Sequence, residues 1–88
     1  MRIKGKFVVR KIADEIVALP TGNDALHFSG IISLNEVGEF LFQLLGEEQD
    51  LNSMIRAVVS EYEVDEQTAA ADIADFLAVM RQNDLLDE

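Results

Sequence analysis

The hydrophobic period of the sequence changes near residue 33, and this change limits the possible folds more than any other feature. Before it, two short runs rich in β-branched residues, at about 6–12 and 15–19, are separated by a two-residue turn. A third run at about 25–29 alternates apolar with smaller or polar residues after a stretch dense in turn formers. These patterns predict a β-hairpin followed by a third strand.

After residue 33, apolar residues recur at the three- and four-residue spacing of amphipathic α-helices. The spacing predicts three helices, at about 35–45, 51–62 and 66–82. Polar residues that can cap the helix starts precede them, and these are Ser33 or Asn35, Asp50 and Asp65. Beyond the last helix, Leu85 and Leu86 are expected to fold back as an apolar plug.

Together these elements predict an α+β fold in which a three-stranded antiparallel sheet is followed by a three-helix bundle. These are the secondary-structure elements of a winged helix-turn-helix domain. With 88 residues, the chain can bury one hydrophobic core and not two, so residues 1–88 are expected to form a single domain.

The residue types needed for catalysis or cofactor binding are scarce. The chain has no cysteine, which excludes disulfides and thiolate chemistry, and its lone histidine, His27, has no evident partner ligands. The glycines form no phosphate-binding loop, and the pair Asp72 and Asp75 has no histidine companion for a metal. We therefore expect no enzyme activity, no cofactor and no metal. Without a signal peptide or an apolar run long enough to span a bilayer, a cytoplasmic protein that binds no membrane is expected.

The net charge of -10 is unevenly distributed along the chain. Residues 1–14 hold five basic side chains and one acidic, whereas residues 15–88 hold two basic and 16 acidic. Most of the surface should therefore repel a phosphate backbone, so nucleic acid is not an expected partner. Because the predicted fold is common among DNA-binding proteins, a DNA-binding or regulatory protein-interaction domain remains the alternative.

The third predicted helix has a second face of small residues. Ala70, Ala74 and Ala78 recur every four residues, and we call them the alanine strip. Such a strip leaves the helix backbone thinly covered. Alanine is also the best helix former, so the strip by itself has an ordinary structural explanation.

Several segments, in order and over nearly the whole chain, resemble the PqqD-like family. The segments are Phe7-Val8-Val9-Arg10, Leu34-Asn35-Glu36, Phe40-Leu41-Phe42-Gln43-Leu44-Leu45, Glu61-Tyr62, Ala71-Asp72-Ile73 and Asp75-Phe76-Leu77. That family is named for the peptide chaperone of pyrroloquinoline quinone biosynthesis. Its fold recurs as the precursor-recognition domain in pathways that make ribosomally synthesised, post-translationally modified peptides.

The resemblance implies that the protein binds the leader segment of a precursor peptide and presents it to a modifying enzyme, often a radical S-adenosylmethionine enzyme. It also implies that the leader adds as a strand beside the third strand, in a groove closed by the third helix. The pairing edge is then expected at Ala25, Leu26, His27, Phe28 and Ser29. The facing wall is expected at Ala70, Ala74, Leu77, Ala78 and Arg81.

Two further expectations concern assembly. An open strand edge can pair with its own copy, so we expect a monomer or a weak dimer. The basic residues near the start of the chain are a hypothetical docking surface for an acidic patch on the modifying enzyme, and they are Arg2, Lys4, Lys6, Arg10 and Lys11.

Overall fold

The computed structural model describes residues 1–22 and 31–88. In chain order, the elements are β1 (Arg2–Ile3), β2 (Phe7–Ile12), β3 (Glu15–Pro20), β4 (Ile32–Leu34), α1 (Glu36–Leu44), α2 (Leu51–Tyr62), α3 (Glu66–Gln82) and β5 (Leu86–Asp87). The α+β class with antiparallel strands followed by three helices is confirmed. The strand predicted at 25–29 lies outside the described residues.

The larger sheet is antiparallel and has the strand order β2-β3-β4. Strands β2 and β3 form the predicted hairpin, whose turn includes Ala13 in the left-handed region at φ 55°. On its other side β3 pairs with β4, in a register that sets Ile16 opposite Leu34 and Ala18 opposite Ile32. The central strand β3 is buried at Ile16, Val17 and Ala18. Among the strands of the described residues, β4 lies at one edge of this sheet.

Strand β4 occupies residues between the predicted third strand and the first helix, where the sequence pattern predicts no strand. It is only three residues long, too short to show a clear alternation. Its pairing with β3 is a tertiary interaction that local sequence does not encode.

The helices begin at polar caps. The Asn35 side chain accepts a hydrogen bond from the Gly38 amide at 2.7 Å, so Asn35 and not Ser33 caps α1. Asp50 caps α2 and Asp65 caps α3, as the sequence predicts. The bounds of α2 and α3 match the predicted ones, and α1 is one residue shorter at each end.

The core lies where the three helices pack together and against the sheet. Its largest fully buried side chains come from β3, from α1 and the residue that follows it, and from α2 and α3. They are Leu41, Leu45, Met54, Ile73, Met80, Val17 and Val58. An edge-to-face contact joins Phe7 of β2 to Phe42 of α1, with ring centroids 5.8 Å apart. This contact fixes the hairpin against the first helix.

The two ends of the chain meet in a second, two-stranded sheet formed by β1 and β5. The Lys4 amide donates a hydrogen bond to the Leu85 carbonyl at 2.7 Å, and the Lys4 ammonium pairs with the Asp84 carboxylate at 3.0 Å. Leu85 and Leu86 are 4% and 8% exposed, which confirms the predicted apolar plug. The strand pairing itself was not predicted, because two-residue strands carry no periodic signal.

Within the described ranges, none of the helices has the length and apolar character needed to span a bilayer.

Candidate functional site

A groove of about 260 Å³ opens between β4, the start of α1 and one face of α3. We call it the β4 groove. Its lining residues are Ile32, Ser33, Leu34, Asn35, Val37, Gly38, Leu41, Asp72, Asp75, Phe76, Val79 and Met80. The groove therefore has a strand along one side and a helix along the other.

The strand side of the β4 groove is a sheet edge. Ile32 is buried, Ser33 is exposed and Leu34 is half-buried, so the first and third residues face the helices. Within residues 1–22 and 31–88, β3 is the only strand that pairs with β4. The outward amide and carbonyl groups of such an edge can accept an additional strand.

The helix side of the groove consists of Asp72, Asp75, Phe76 and Val79. These positions follow the i, i+3, i+4, i+7 pattern and so lie on one face of α3. Phe76 is buried, whereas Val79 is 42% exposed and both aspartates are exposed. One turn of this wall is therefore acidic and the next is apolar.

The end of the groove depends on a close approach between β4 and α1. Gly38 is buried there, and a Cβ atom at this position would lie 3.1 Å from Asn35 Oδ1 and 3.5 Å from a methyl of Leu34. Because Asn35 Oδ1 also accepts the Gly38 amide hydrogen bond, it cannot retreat without weakening the cap. The cap and the glycine together fix how the strand turns into the helix.

The predicted pairing edge, Ala25, Leu26, His27, Phe28 and Ser29, lies outside the described residues. The assignment of these residues to peptide binding remains a prediction.

The predicted wall residues do not line the β4 groove. Ala70 is half-buried, Ala74 and Ala78 are exposed, and Leu77 is part of the core. At about 3.6 residues per turn, the alanine strip lies on the opposite flank of the buried stripe of α3 from the wall at Asp72, Asp75 and Val79.

Arg81 is also engaged away from the groove. Its guanidinium binds the Glu88 carboxylate through Nε at 3.2 Å and Nη2 at 3.0 Å. These hydrogen bonds raise the pKa of Arg81 and lower the pKa of the Glu88 carboxyl. The interaction holds the last residue of the chain against α3.

From the sequence, Asp72 and Asp75 were considered only as a carboxylate pair without a metal partner, and they were not connected to Phe76 and Val79. The helical spacing of these residues was visible in the sequence. The missing information was which flank of α3 faces the sheet, and this is set by tertiary packing.

A second groove, of about 620 Å³, lies between the edge of β2 and the end of α1. It contains the basic residues Arg2, Lys6 and Arg10 beside Phe7 and Phe42. Part of the positive charge of the N-terminal region is thus collected along the other edge of the sheet.

No group of three or more histidine, cysteine, aspartate or glutamate side chains in the described parts of the chain is placed to hold a metal ion.

The fold and the β4 groove define a winged helix-turn-helix domain with a sheet edge facing a helix. The family model described as coenzyme PQQ synthesis protein D (PqqD) matches residues 15–86, and the chain belongs to this family. The solved structure of TbiB1 in complex with the TbiA(beta) leader peptide matches it with a TM-score of 0.72 and 30% identity. That match covers 99% of this chain and 95% of TbiB1. Among curated proteins, none matches.

Proposed function

We propose that the protein captures the leader segment of a precursor peptide by strand addition at β4 and presents it to a modifying enzyme, without catalysing a reaction itself. The observation that carries this proposal is the edge of β4, which pairs only with β3 among the described residues and faces α3 across the groove. It is supported by membership of the PqqD family and by the likeness to TbiB1, which was solved with a leader peptide.

In this proposal, the leader lies extended between β4 and α3. Its backbone pairs with the outward groups of Ile32–Leu34, and alternate side chains face the α3 wall. Backbone pairing accepts many sequences, so the residues of the wall must supply the preference. The predicted edge at 25–29 and the alanine strip remain an alternative placement, which the substitutions described in the Discussion distinguish.

The proposed partner enzyme is of the radical S-adenosylmethionine type, because the resemblance implies such a partner for many relatives. The basic residues near the β2 edge are the proposed contact with that enzyme. We propose a cytoplasmic monomer, or a weak dimer formed through a sheet edge.

DNA binding fits the described surface poorly. The groove face of α3 carries two exposed aspartates, and α2 and α3 together contain only two arginines, Arg56 and Arg81. Arg81 is already paired with Glu88. Neither helix offers the basic face that would offset repulsion by phosphates.

The proposal is tested by selecting binders from a displayed library of random peptides about 15 residues long, enough to cover a strand of typical length. A selected peptide is then titrated into ¹⁵N-labelled protein. The largest amide shift changes are expected at Ile32–Leu34 and at 72–79. Failure to enrich any peptide, or changes centred on α2 or on β2, would contradict strand addition at β4.

A further inference from the structure

The wall of the β4 groove is chemically divided. Asp72 and Asp75 occupy one turn of α3, and Phe76 and Val79 occupy the next. Neither aspartate forms a hydrogen bond or ion pair with another described residue. Two carboxylates near the end of the chain are paired, Asp84 with Lys4 and Glu88 with Arg81.

The size of this wall matches a short extended segment. From Asp72 to Val79 the helix rises about 10 Å, the length of roughly three residues in a strand. A strand paired with β4 would direct every second side chain toward α3, as Ile32 and Leu34 are directed. The centres of the two parts lie about 6 Å apart along the helix. Two peptide residues separated by two positions, about 7 Å in a strand, therefore reach both parts of the wall.

We propose that the β4 groove selects leader segments in which a lysine or arginine lies two positions from an apolar residue. The basic side chain pairs with Asp72 and Asp75, and the apolar side chain contacts Phe76 and Val79. This inference rests on the proposed function, and it specifies the kind of peptide that the site recognises.

The negative charge of the rest of the chain also favours a basic peptide. Residues 15–88 carry 16 acidic side chains and two basic ones, so a basic peptide is attracted before contact. That general attraction is screened by salt and does not depend on register. Selectivity for the position of the basic residue must come from the two aspartates in the groove.

The peptide selection is therefore run on the wild-type protein and on the charge-reversed variant Asp72→Lys/Asp75→Lys. Binders of the wild type are expected to be enriched in Lys or Arg at the stated spacing from an apolar residue. Binders of the variant are expected to carry Asp or Glu at the same position. Lysine is a good helix former, so α3 should persist, which circular dichroism checks.

The contribution of Asp72 and Asp75 to affinity is measured with one selected peptide that contains lysine. Asp72→Asn/Asp75→Asn should weaken its binding about 3- to 20-fold at low salt, because exposed ion pairs are individually weak. The control Glu47→Gln/Glu61→Gln changes the net charge equally at exposed sites outside the groove and should change affinity less than about twofold.

The outcomes distinguish failure of the proposed function from failure of the proposed peptide preference. If no peptide is enriched on the wild type, the proposed function fails. If peptides bind at the groove by amide mapping but show no basic preference, or the same preference on the charge-reversed variant, the proposed function stands and this inference is overturned.

Discussion

Val79→Arg is the substitution that best tests where the peptide binds. Val79 is the most exposed apolar side chain of the α3 wall, at 42%, and an arginine there would extend into the space a peptide side chain needs. It would also lie one helical turn from Asp75, with which it can pair. Both effects remove the apolar end of the groove. Arginine is a good helix former, so α3 should persist in this variant.

The expected loss of affinity follows from the short length of the β4 edge. A three-residue strand directs about two to four backbone groups outward, and each hydrogen bond contributes about 0.5–1.5 kcal/mol net. A Kd near micromolar needs a binding free energy of about 8 kcal/mol. The hydrogen bonds do not supply all of it, so an apolar contact must contribute. Burial of one such side chain contributes about 1.5–3 kcal/mol. Its loss should weaken binding about 10- to 150-fold.

The assay is fluorescence anisotropy with a labelled peptide selected on the wild type, and Ala74→Arg is the matched control. Ala74 is exposed on the opposite flank of the same helix, so its substitution adds the same charge outside the β4 groove. It should leave Kd within about threefold. Normal binding by a folded Val79→Arg protein would refute the reasoning. Loss of binding in Ala74→Arg would instead place the peptide on the alanine strip.

Two predictions concern helix caps. Asn35→Ala should lower the free energy of unfolding by about 1 kcal/mol, because it leaves the Gly38 amide without its partner; urea denaturation measures this, and Ser33→Ala should have little effect. The Thr68 amide lowers the pKa of the Asp65 carboxyl, so the charged cap stabilises the fold above about pH 4 and loses this effect as the pH falls through the lowered pKa. Asn caps without titrating, so the stability difference between wild type and Asp65→Asn should be constant near neutral pH and decrease in acid; a difference independent of pH would contradict this.

The parts of the fold that were predictable are those encoded locally. Helices α2 and α3 begin after Asp50 and Asp65 because an acidic cap and a periodic apolar stripe coincide there. The hairpin of β2 and β3 was equally visible from its β-branched runs.

The parts that were missed depend on contacts distant in the chain. Strand β4 exists because Ile32 and Leu34 pair with β3, and its three residues alone do not specify a strand. The choice of groove wall depends on which flank of α3 faces that strand. Asp72 and Val79 show in the sequence that they share one helix face, but their spacing does not indicate which element packs against that face.

The small sheet of β1 and β5 determines how the domain can be connected to other polypeptides. Arg2 lies opposite Asp87, so residues one position from each end of the sequence are neighbours at about the spacing of paired strands. A polypeptide attached at either end would leave the domain from nearly the same point. Fusion to an enzyme through either terminus would thus give similar tethering geometry, and a short linker joining the ends would allow circular permutation.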